Sequence, residues 1–190
     1  MTRINDFLRY LQAEKRYASH TIKAYKNDLN QFHAFCQSND KEGMDLYYKT
    51  IRSWVVFLMD SGYSSRSVHR KLTSLRSYCK YLISLGELDT NPLDRVLKPK
   101  LNKRVPAFVE EAKMDQLLDE FDFGDDFEGI RNRLILDLLY QTGMRRSELI
   151  GLKTGSINRE GKNVKVMGKR GKERIIPVGD ELLASVEKYM

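Results

Sequence analysis

Two clusters of cationic residues in the second half of the chain have the types and spacing expected of a site for an anionic group. The first, Met144-Arg145-Arg146-Ser147-Glu148, follows the turn residues Thr142-Gly143. Two adjacent arginines at a tight turn are seldom there for packing, although Glu148 could simply pair with one of them. The second, Gly168-Lys169-Arg170-Gly171-Lys172-Glu173, is typical of a hairpin tip. A hairpin alone is weak evidence, but a cationic tip at a fixed distance from the double-arginine turn is more suggestive of function.

The segments around these clusters predict a mixed α+β region. Apolar residues indicate a helix over 130–140, with Gly143 as its C-cap, and a short helix after the double-arginine turn. Alternation predicts one strand over 164–167 and a second over 174–178. Residues 181–189 have the pattern of an amphipathic helix, whereas the acidic stretch 121–128 is expected to be a solvent-facing loop.

The composition favours a folded protein that does not enter membranes. The 190 residues are 41% hydrophobic and 31% charged, which is typical of a globular chain rather than a disordered one. The longest apolar run, Trp54–Met59, is far shorter than the ~20 residues of a membrane span. The N-terminus has no apolar segment of the kind that directs export, so we expect a cytoplasmic protein. Cys36 and Cys79 form neither a disulfide framework nor a metal site, and we expect no metal and no other cofactor.

The net positive charge belongs entirely to the first half of the chain. The whole sequence has a net charge of +7 and a pI near 9.3. Residues 1–104 contain 19 Lys and Arg against 10 Asp and Glu, a net charge of +9, whereas residues 105–190 contain 14 against 16, a net charge of −2. Such asymmetry favours a segment that faces a polyanion, most commonly nucleic acid. The alternative is a solvated basic face without a partner.

Apolar spacing predicts four helices in the first half, joined by short turns into a small bundle. The residues that carry the pattern are Ile4, Leu8 and Leu11; Ile22, Tyr25, Leu29, Phe32 and Cys36; Trp54, Val55, Leu58 and Met59; and Val68, Leu72, Leu75, Cys79 and Leu82. Ser19 and Ser65 are expected to be N-caps, and Gly62 and Gly86 are expected where helices stop.

The predicted starts of the second and fourth helices carry cations, which oppose the helix macrodipole. A DNA backbone would relieve this cost, because free amides at a helix start and basic side chains both attract phosphate. Arg66 and Arg70 are one turn apart, a spacing that lets both enter a major groove, where arginine can read guanine. The other cationic or polar residues at these starts are His20, Thr21, Lys23 and Lys26 in the second helix, and His69 and Lys71 in the fourth.

A basic stretch punctuated by Pro99 and Pro106 is predicted to be an extended linker, because residues that precede proline avoid the helical region. Its cations, which could also track a phosphate backbone, are Lys98, Lys100, Lys103 and Arg104. The predicted organisation is a helical domain over 1–97, a basic linker over 98–107 and a second domain over 108–190.

Three parts of the sequence resemble the tyrosine recombinase and phage integrase family. Tyr140-Gln141-Thr142-Gly143-Met144-Arg145-Arg146-Ser147-Glu148-Leu149 resembles its first arginine box, T-G-x-R-x-S-E-L. Gly168-Lys169-Arg170-Gly171-Lys172-Glu173-Arg174-Ile175-Ile176-Pro177 resembles its β-hairpin, G-K-x-x-K-E-R-x-[IV]-P. The first domain is similar to the family's core-binding domain at 17–21, 74–78 and 91–92. Both boxes in this order are specific, and the overall resemblance is to the Xer-type and phage-integrase branch.

The resemblance implies a mainly α fold: a four-helix SAM-like core-binding domain followed by the first part of a mixed α+β catalytic domain. It implies that Arg145 is the first catalytic arginine, which holds the nonbridging oxygens of the scissile phosphate. Lys169 would protonate the departing 5′-oxygen, and Glu148 would support Arg145. Arg146 is expected to contact the DNA backbone or to form a salt bridge. The residues implied to face the major groove are His20, Thr21, Lys23, Arg66, Ser67 and Arg70.

The family also requires a His-x-x-Arg box and a tyrosine nucleophile downstream of the hairpin. No histidine follows His69, and Tyr189 comes too soon after the hairpin and closes an amphipathic helix. We therefore expect a truncated chain that binds double-stranded DNA, is monomeric or weakly associating, and is catalytically inactive. The whole protein would be a site-specific recombinase that acts through a 3′-phosphotyrosyl intermediate, as a tetramer on two duplexes. The alternatives are a non-enzymatic DNA-binding regulator and a helical module that binds an acidic protein.

Overall fold

The computed structural model describes residues 2–41, 43–101, 108–168 and 171–190, and the chain divides into two units, Met1–Arg104 and Val105–Met190. The first unit is helical, and the second combines helices with a small antiparallel sheet. The predicted fold class is therefore confirmed. None of the helices in the described ranges has the length and apolar composition needed to cross a membrane.

The described part of the first unit contains the four predicted helices. They are α1 (Thr2–Ala13), α2 (Ser19–Gln37), α3 (Tyr48–Asp60) and α4 (Ser65–Ser84). Each places apolar residues three or four positions apart, so that one face of every helix enters a shared core. The largest fully buried side chains of that core include Trp54, Phe7, Phe32, Leu29 and Leu72. A 3-10 turn follows at Pro92–Asp94, and its Leu93 is buried in the same core.

The N-cap residues of α2 and α4 each lie one position before the residue that the sequence predicted. The N-caps are Ala18 and Ser64, not Ser19 and Ser65. The reason at α4 is hydrogen-bond geometry, because an N-cap oxygen must reach the amide three residues on, and Ser64 Oγ accepts from the Ser67 N–H at 3.2 Å. Helices α3 and α4 end at Asp60 and Ser84, and in each case one C-cap residue separates the helix from the left-handed glycine predicted to stop it.

The second unit packs helices against a three-stranded sheet. Its elements are α5 (Glu111–Glu120), α6 (Phe127–Thr142), α7 (Arg146–Ile150), β1 (Ile157–Asn158), β2 (Asn163–Met167), β3 (Glu173–Pro177) and α8 (Asp180–Tyr189). The strand order is β1-β2-β3, antiparallel throughout, and Val166 pairs with Arg174 in the β2–β3 ladder. Leu134, Leu138, Val164 and Leu182 lie in the core between α6, β2 and α8. Tyr189 stacks its ring on Phe127, with 5.3 Å between the centroids.

Candidate phosphate site and nucleic-acid interface

The turn between α6 and α7 presents Arg145 to solvent. Gly143 caps α6 with φ +57° and ψ +23°, a left-handed conformation that glycine adopts without steric cost. The Thr142 hydroxyl donates to the Leu138 carbonyl, and its oxygen accepts from the Met144 N–H at 3.2 Å. Because the Met144 side chain is buried in the core, the backbone directly before Arg145 is fixed.

Glu148 is a buried carboxylate that binds Arg145 twice. Its Oε2 accepts from the Arg145 backbone N–H at 2.8 Å, and its Oε1 accepts from Arg145 Nη1 at 2.8 Å. The Glu148 side chain is 2% exposed, whereas the Arg145 side chain is 63% exposed. The guanidinium is therefore anchored on one edge and open to solvent on the rest. Adjacent Arg146 is exposed and forms no ion pair within the described residues.

Arg174 of β3 binds the same carboxylate from the other side, and sequence reasoning did not assign it to the site. Its Nη1 and Nη2 donate to Glu148 Oε1 and Oε2 at 3.1 and 2.8 Å. Directly paired residues share one face of a sheet, so Arg174 lies on the same inward face as buried Val166. The alternation of the strand could have revealed Arg174 in the sequence, because Arg174 shares a face of the predicted strand with Ile176 and Val178, whereas exposed Ile175 lies on the opposite face.

The two arginines keep Glu148 ionised. The largest contribution is the hydrogen bond from the Arg145 backbone N–H, which lowers the pKa of Glu148. Burial acts in the opposite direction, but the Arg145 side chain and the charge of Arg174 also lower the pKa, so it stays below its usual range. Two guanidinium groups share one carboxylate, so the cluster retains one net positive charge at neutral pH. This arrangement can bind an anion through a charge-assisted fork.

The start of the cationic hairpin tip adjoins this cluster. The Gly168 N–H donates to the Lys172 carbonyl at 2.7 Å and closes the β2–β3 connection. A Cβ built at Gly168 would lie 3.1 Å from the Lys172 oxygen and 3.4 Å from Glu148 Oε1, so a side chain there would crowd the buried carboxylate. Lys169, the proposed acid, and Arg170 lie outside the described residues.

In the first unit, a buried aspartate joins α2 to α4. Asp28 accepts from both terminal nitrogens of Arg70, with Nη2 at 2.8 Å, from Lys71 Nζ at 3.2 Å and from Ser74 Oγ at 2.7 Å. Lys71 also donates to Gln31, and its ammonium lies 5.0 Å from the centroid of the Tyr63 ring. The Asp28 side chain is 1% exposed and that of Arg70 is 51% exposed.

Sequence reasoning missed this network, although a signal for it exists. Asp28 follows Tyr25 at helical spacing and precedes Phe32 by one turn, so it lies on the apolar face of α2. A carboxylate at such a position requires buried partners, and Lys71 and Arg70 are the cations that supply them.

The predicted DNA contacts lie at the ends of α2 and α4 that were expected to carry them. His20, Lys23 and Lys26 of α2 and Arg66 of α4 are exposed, and Thr21 is half-buried. Ser67 is half-buried, and its hydroxyl lies 3.0 Å from the N-cap hydroxyl of Ser64. Lys100 is exposed, whereas Lys103 and Arg104 lie outside the described residues.

Comparison with known proteins assigns both units. Residues 4–86 match the N-terminal SAM-like domain of phage integrases, and residues 107–190 match the phage integrase family itself. The two matches follow the order expected of an integrase-type protein, in which a SAM-like helical domain precedes the domain with the arginine box. The chain belongs to the phage integrase family, as its two boxes predicted.

The similar curated proteins are tyrosine recombinases. The chain is 37% identical to tyrosine recombinase XerC of Staphylococcus saprophyticus over 184 residues. This alignment covers 97% of this chain and 62% of the relative. It is 35% identical over 191 residues to tyrosine recombinase XerC of Staphylococcus aureus strain USA300, which covers 100% of this chain and 64% of the relative. The chain therefore spans somewhat less than two thirds of the length of these relatives.

Solved integrases share the fold. A lambda integrase dimer bound to a COC′ core site superposes with a TM-score of 0.72 at 17% identity, over 98% of this chain and 53% of that one. The Tn1549 transposon integrase in complex with transposon right end DNA gives a TM-score of 0.69 at 18% identity, over 99% and 64%. At these identities the likeness establishes the fold.

Proposed function

We propose that this chain is the DNA-binding part of a cytoplasmic site-specific tyrosine recombinase, and that it also carries the first half of the site that cleaves DNA strands. The observation that carries the proposal is the exposed guanidinium of Arg145, anchored by the buried carboxylate of Glu148. A buried acceptor that grips one edge of an arginine orients the remaining donors toward solvent. That is the geometry needed to hold the nonbridging oxygens of a phosphate.

Glu148 and Arg174 act as positioning residues in this proposal. An ionised Glu148 favours one orientation of the Arg145 fork, and it is itself fixed by the four N–H groups it accepts. A fixed fork contributes more to transition-state binding than a mobile one, because its orientation is settled before the reaction. Lys169 is proposed as the general acid that protonates the departing 5′-oxygen.

The first unit is proposed to hold the duplex. The exposed cations at the starts of α2 and α4 are proposed to supply phosphate contacts, and Arg66 and Arg70 are proposed to reach base edges in a major groove. The proposed contacts in the unit as a whole are His20, Thr21, Lys23, Lys26, Arg66, Ser67, Arg70, Lys100, Lys103 and Arg104. Similar folds solved on core-site and transposon-end DNA support a duplex as the partner. Strand exchange through a 3′-phosphotyrosyl intermediate, on a tetramer that holds two duplexes, is proposed for the whole protein.

Fluorescence anisotropy with a labelled duplex tests the proposal. We expect binding whose log affinity falls linearly with log salt concentration, since each phosphate contact contributes about 0.9 to that slope on B-DNA. Arg145→Gln should lower the slope by about 0.9 through the loss of one contact. Arg159→Gln is the matched control, because Arg159 is about as exposed as Arg145 but pairs with Glu187 of α8. Absence of duplex binding by the unaltered chain, or equal slopes for the two variants, would contradict the proposal.

A further inference from the structure

The chain that follows α4 turns back along that helix. The Asn91 side chain donates to the Arg76 carbonyl at 3.3 Å, and Arg76 Nη2 donates to the Leu93 carbonyl at 2.7 Å. Farther along, the Pro99 carbonyl contacts His69, two helical turns nearer the start of α4 than Arg76. We call residues 91–101 the return segment, because it runs antiparallel to α4 toward the N-terminal end of the helix.

The two ends of the return segment are held very differently. Leu93 and Val96 are buried in the helical core, so the first half is anchored by packing. In the second half, Leu97 and Leu101 are exposed. Within the described part of the chain, residues 97–101 make a single hydrogen bond, the 2.7 Å contact between His69 Nε2 and the Pro99 oxygen. A carbonyl oxygen can only accept, so Nε2 carries the proton.

Two cations flank the residue that accepts this hydrogen bond. Lys98 and Lys100 flank Pro99, both are exposed, and neither pairs with an acidic residue among those described. On α4, Arg66 lies three residues before His69 and Arg70 directly follows it. The bond thus brings a lysine pair from the return segment beside the cationic start of α4.

We infer that His69 is a positioning residue for DNA: its bond to Pro99 fixes the return segment so that Lys98 and Lys100 bind phosphates of the duplex held by α4. The inference rests on the proposed DNA binding of the first unit. Its physical basis is preorganisation, because a segment already ordered in the free protein does not lose that conformational freedom when the duplex binds. His69 itself need not touch the DNA.

A mutant cycle tests this role with a labelled duplex of arbitrary sequence, titrated at several salt concentrations. Replacing both lysines, Lys98→Gln with Lys100→Gln, should lower the salt slope by about 1.8, from two phosphate contacts at about 0.9 each. His69→Ala should reproduce part of that loss. His69→Gln should restore the slope, because the glutamine amide can donate from nearly the same position as Nε2. In the chain that lacks both lysines, His69→Ala should have no further effect.

Each remaining outcome overturns the inference. If the unaltered chain binds no duplex, the proposed function fails and the inference fails with it. If it binds but His69→Ala keeps the full slope, or if the lysine pair contributes nothing, only the inference fails. Additive losses would show that His69 contacts DNA directly. His33→Ala, which removes a half-buried histidine of α2, is the control, and circular dichroism checks folding. If His69→Ala unfolds, His69→Phe takes its place, because phenylalanine fills the space of the ring but cannot donate to the Pro99 oxygen.

Discussion

Replacing Asp28 should destabilise the first unit far more than replacing an exposed aspartate. Asp28→Asn removes the charge that compensates the Lys71 ammonium, whose side chain is only 8% exposed. Removing one partner of a buried ion pair costs about 3–5 kcal/mol, since the other charge stays buried. The Arg70 contribution is smaller, because a half-exposed guanidinium regains water and such pairs are worth at most about 1 kcal/mol. We therefore expect a loss of about 3 kcal/mol.

Thermal unfolding followed by circular dichroism measures this loss. For a unit of this size about 1 kcal/mol shifts the midpoint by about 4–8 °C, so Asp28→Asn should lower it by roughly 12–24 °C. Asp6→Asn is the matched control, because the half-buried Asp6 of α1 forms, among the described residues, only long pairs of 4.0 Å with Arg3 and Arg9. Asp28→Leu combined with Lys71→Met should recover much of the stability, since a buried pair can be replaced by apolar side chains. A loss below about 1 kcal/mol for Asp28→Asn would refute the reasoning.

Three further predictions concern the second unit and the core cysteines. The pKa of Glu148 in the folded protein lies below its unfolded value of about 4.3. The ionised carboxylate therefore stabilises the fold fully above that pH, and this stabilisation is lost as the pH falls through the folded-state pKa. In calorimetry at acid pH, the unfolding temperature of the unaltered chain should fall more steeply than that of Glu148→Gln. Gly143→Ala should cost about 1–2 kcal/mol in urea unfolding because φ is +57°, whereas Gly155→Ala, at an open position with ordinary φ, should cost much less. Burial raises the pKa of Cys79 to about 12 and also raises that of Cys36, so both thiols should react with a disulfide reagent only as the chain unfolds; a rapid reaction in the native protein would contradict this.

Most of the fold could be predicted because each main element buries a continuous face. Helix α4 has an apolar residue at nearly every third or fourth position, and β2 alternates cleanly between buried and exposed residues. Two elements were missed for physical reasons. Helix α5 keeps Leu117 exposed and has no buried residue among those described, so its pattern is weak, and β1 is only two residues long.

The candidate site was predictable where its contacts are local in sequence. Glu148 is three residues from Arg145, and a helix start brings residues at that spacing together, so their pairing could be read from the sequence. Arg174 is 26 residues from Glu148, and its contact depends on how the hairpin packs against α7. Asp28 and Arg70 are 42 residues apart and meet only because α2 packs on α4. Contacts of this kind require the tertiary structure.

The two units contain the same kind of buried ion-pair cluster. In each, one buried carboxylate is shared by two cations: Asp28 by Arg70 and Lys71, and Glu148 by Arg145 and Arg174. A single carboxylate neutralises only one of them, so each cluster keeps a net positive charge on an arginine whose outer edge is exposed. An arginine without such an anchor would have to be ordered by its ligand, and that ordering would weaken binding. The buried acids therefore matter to the proposed function because they fix the direction in which the exposed cations can donate.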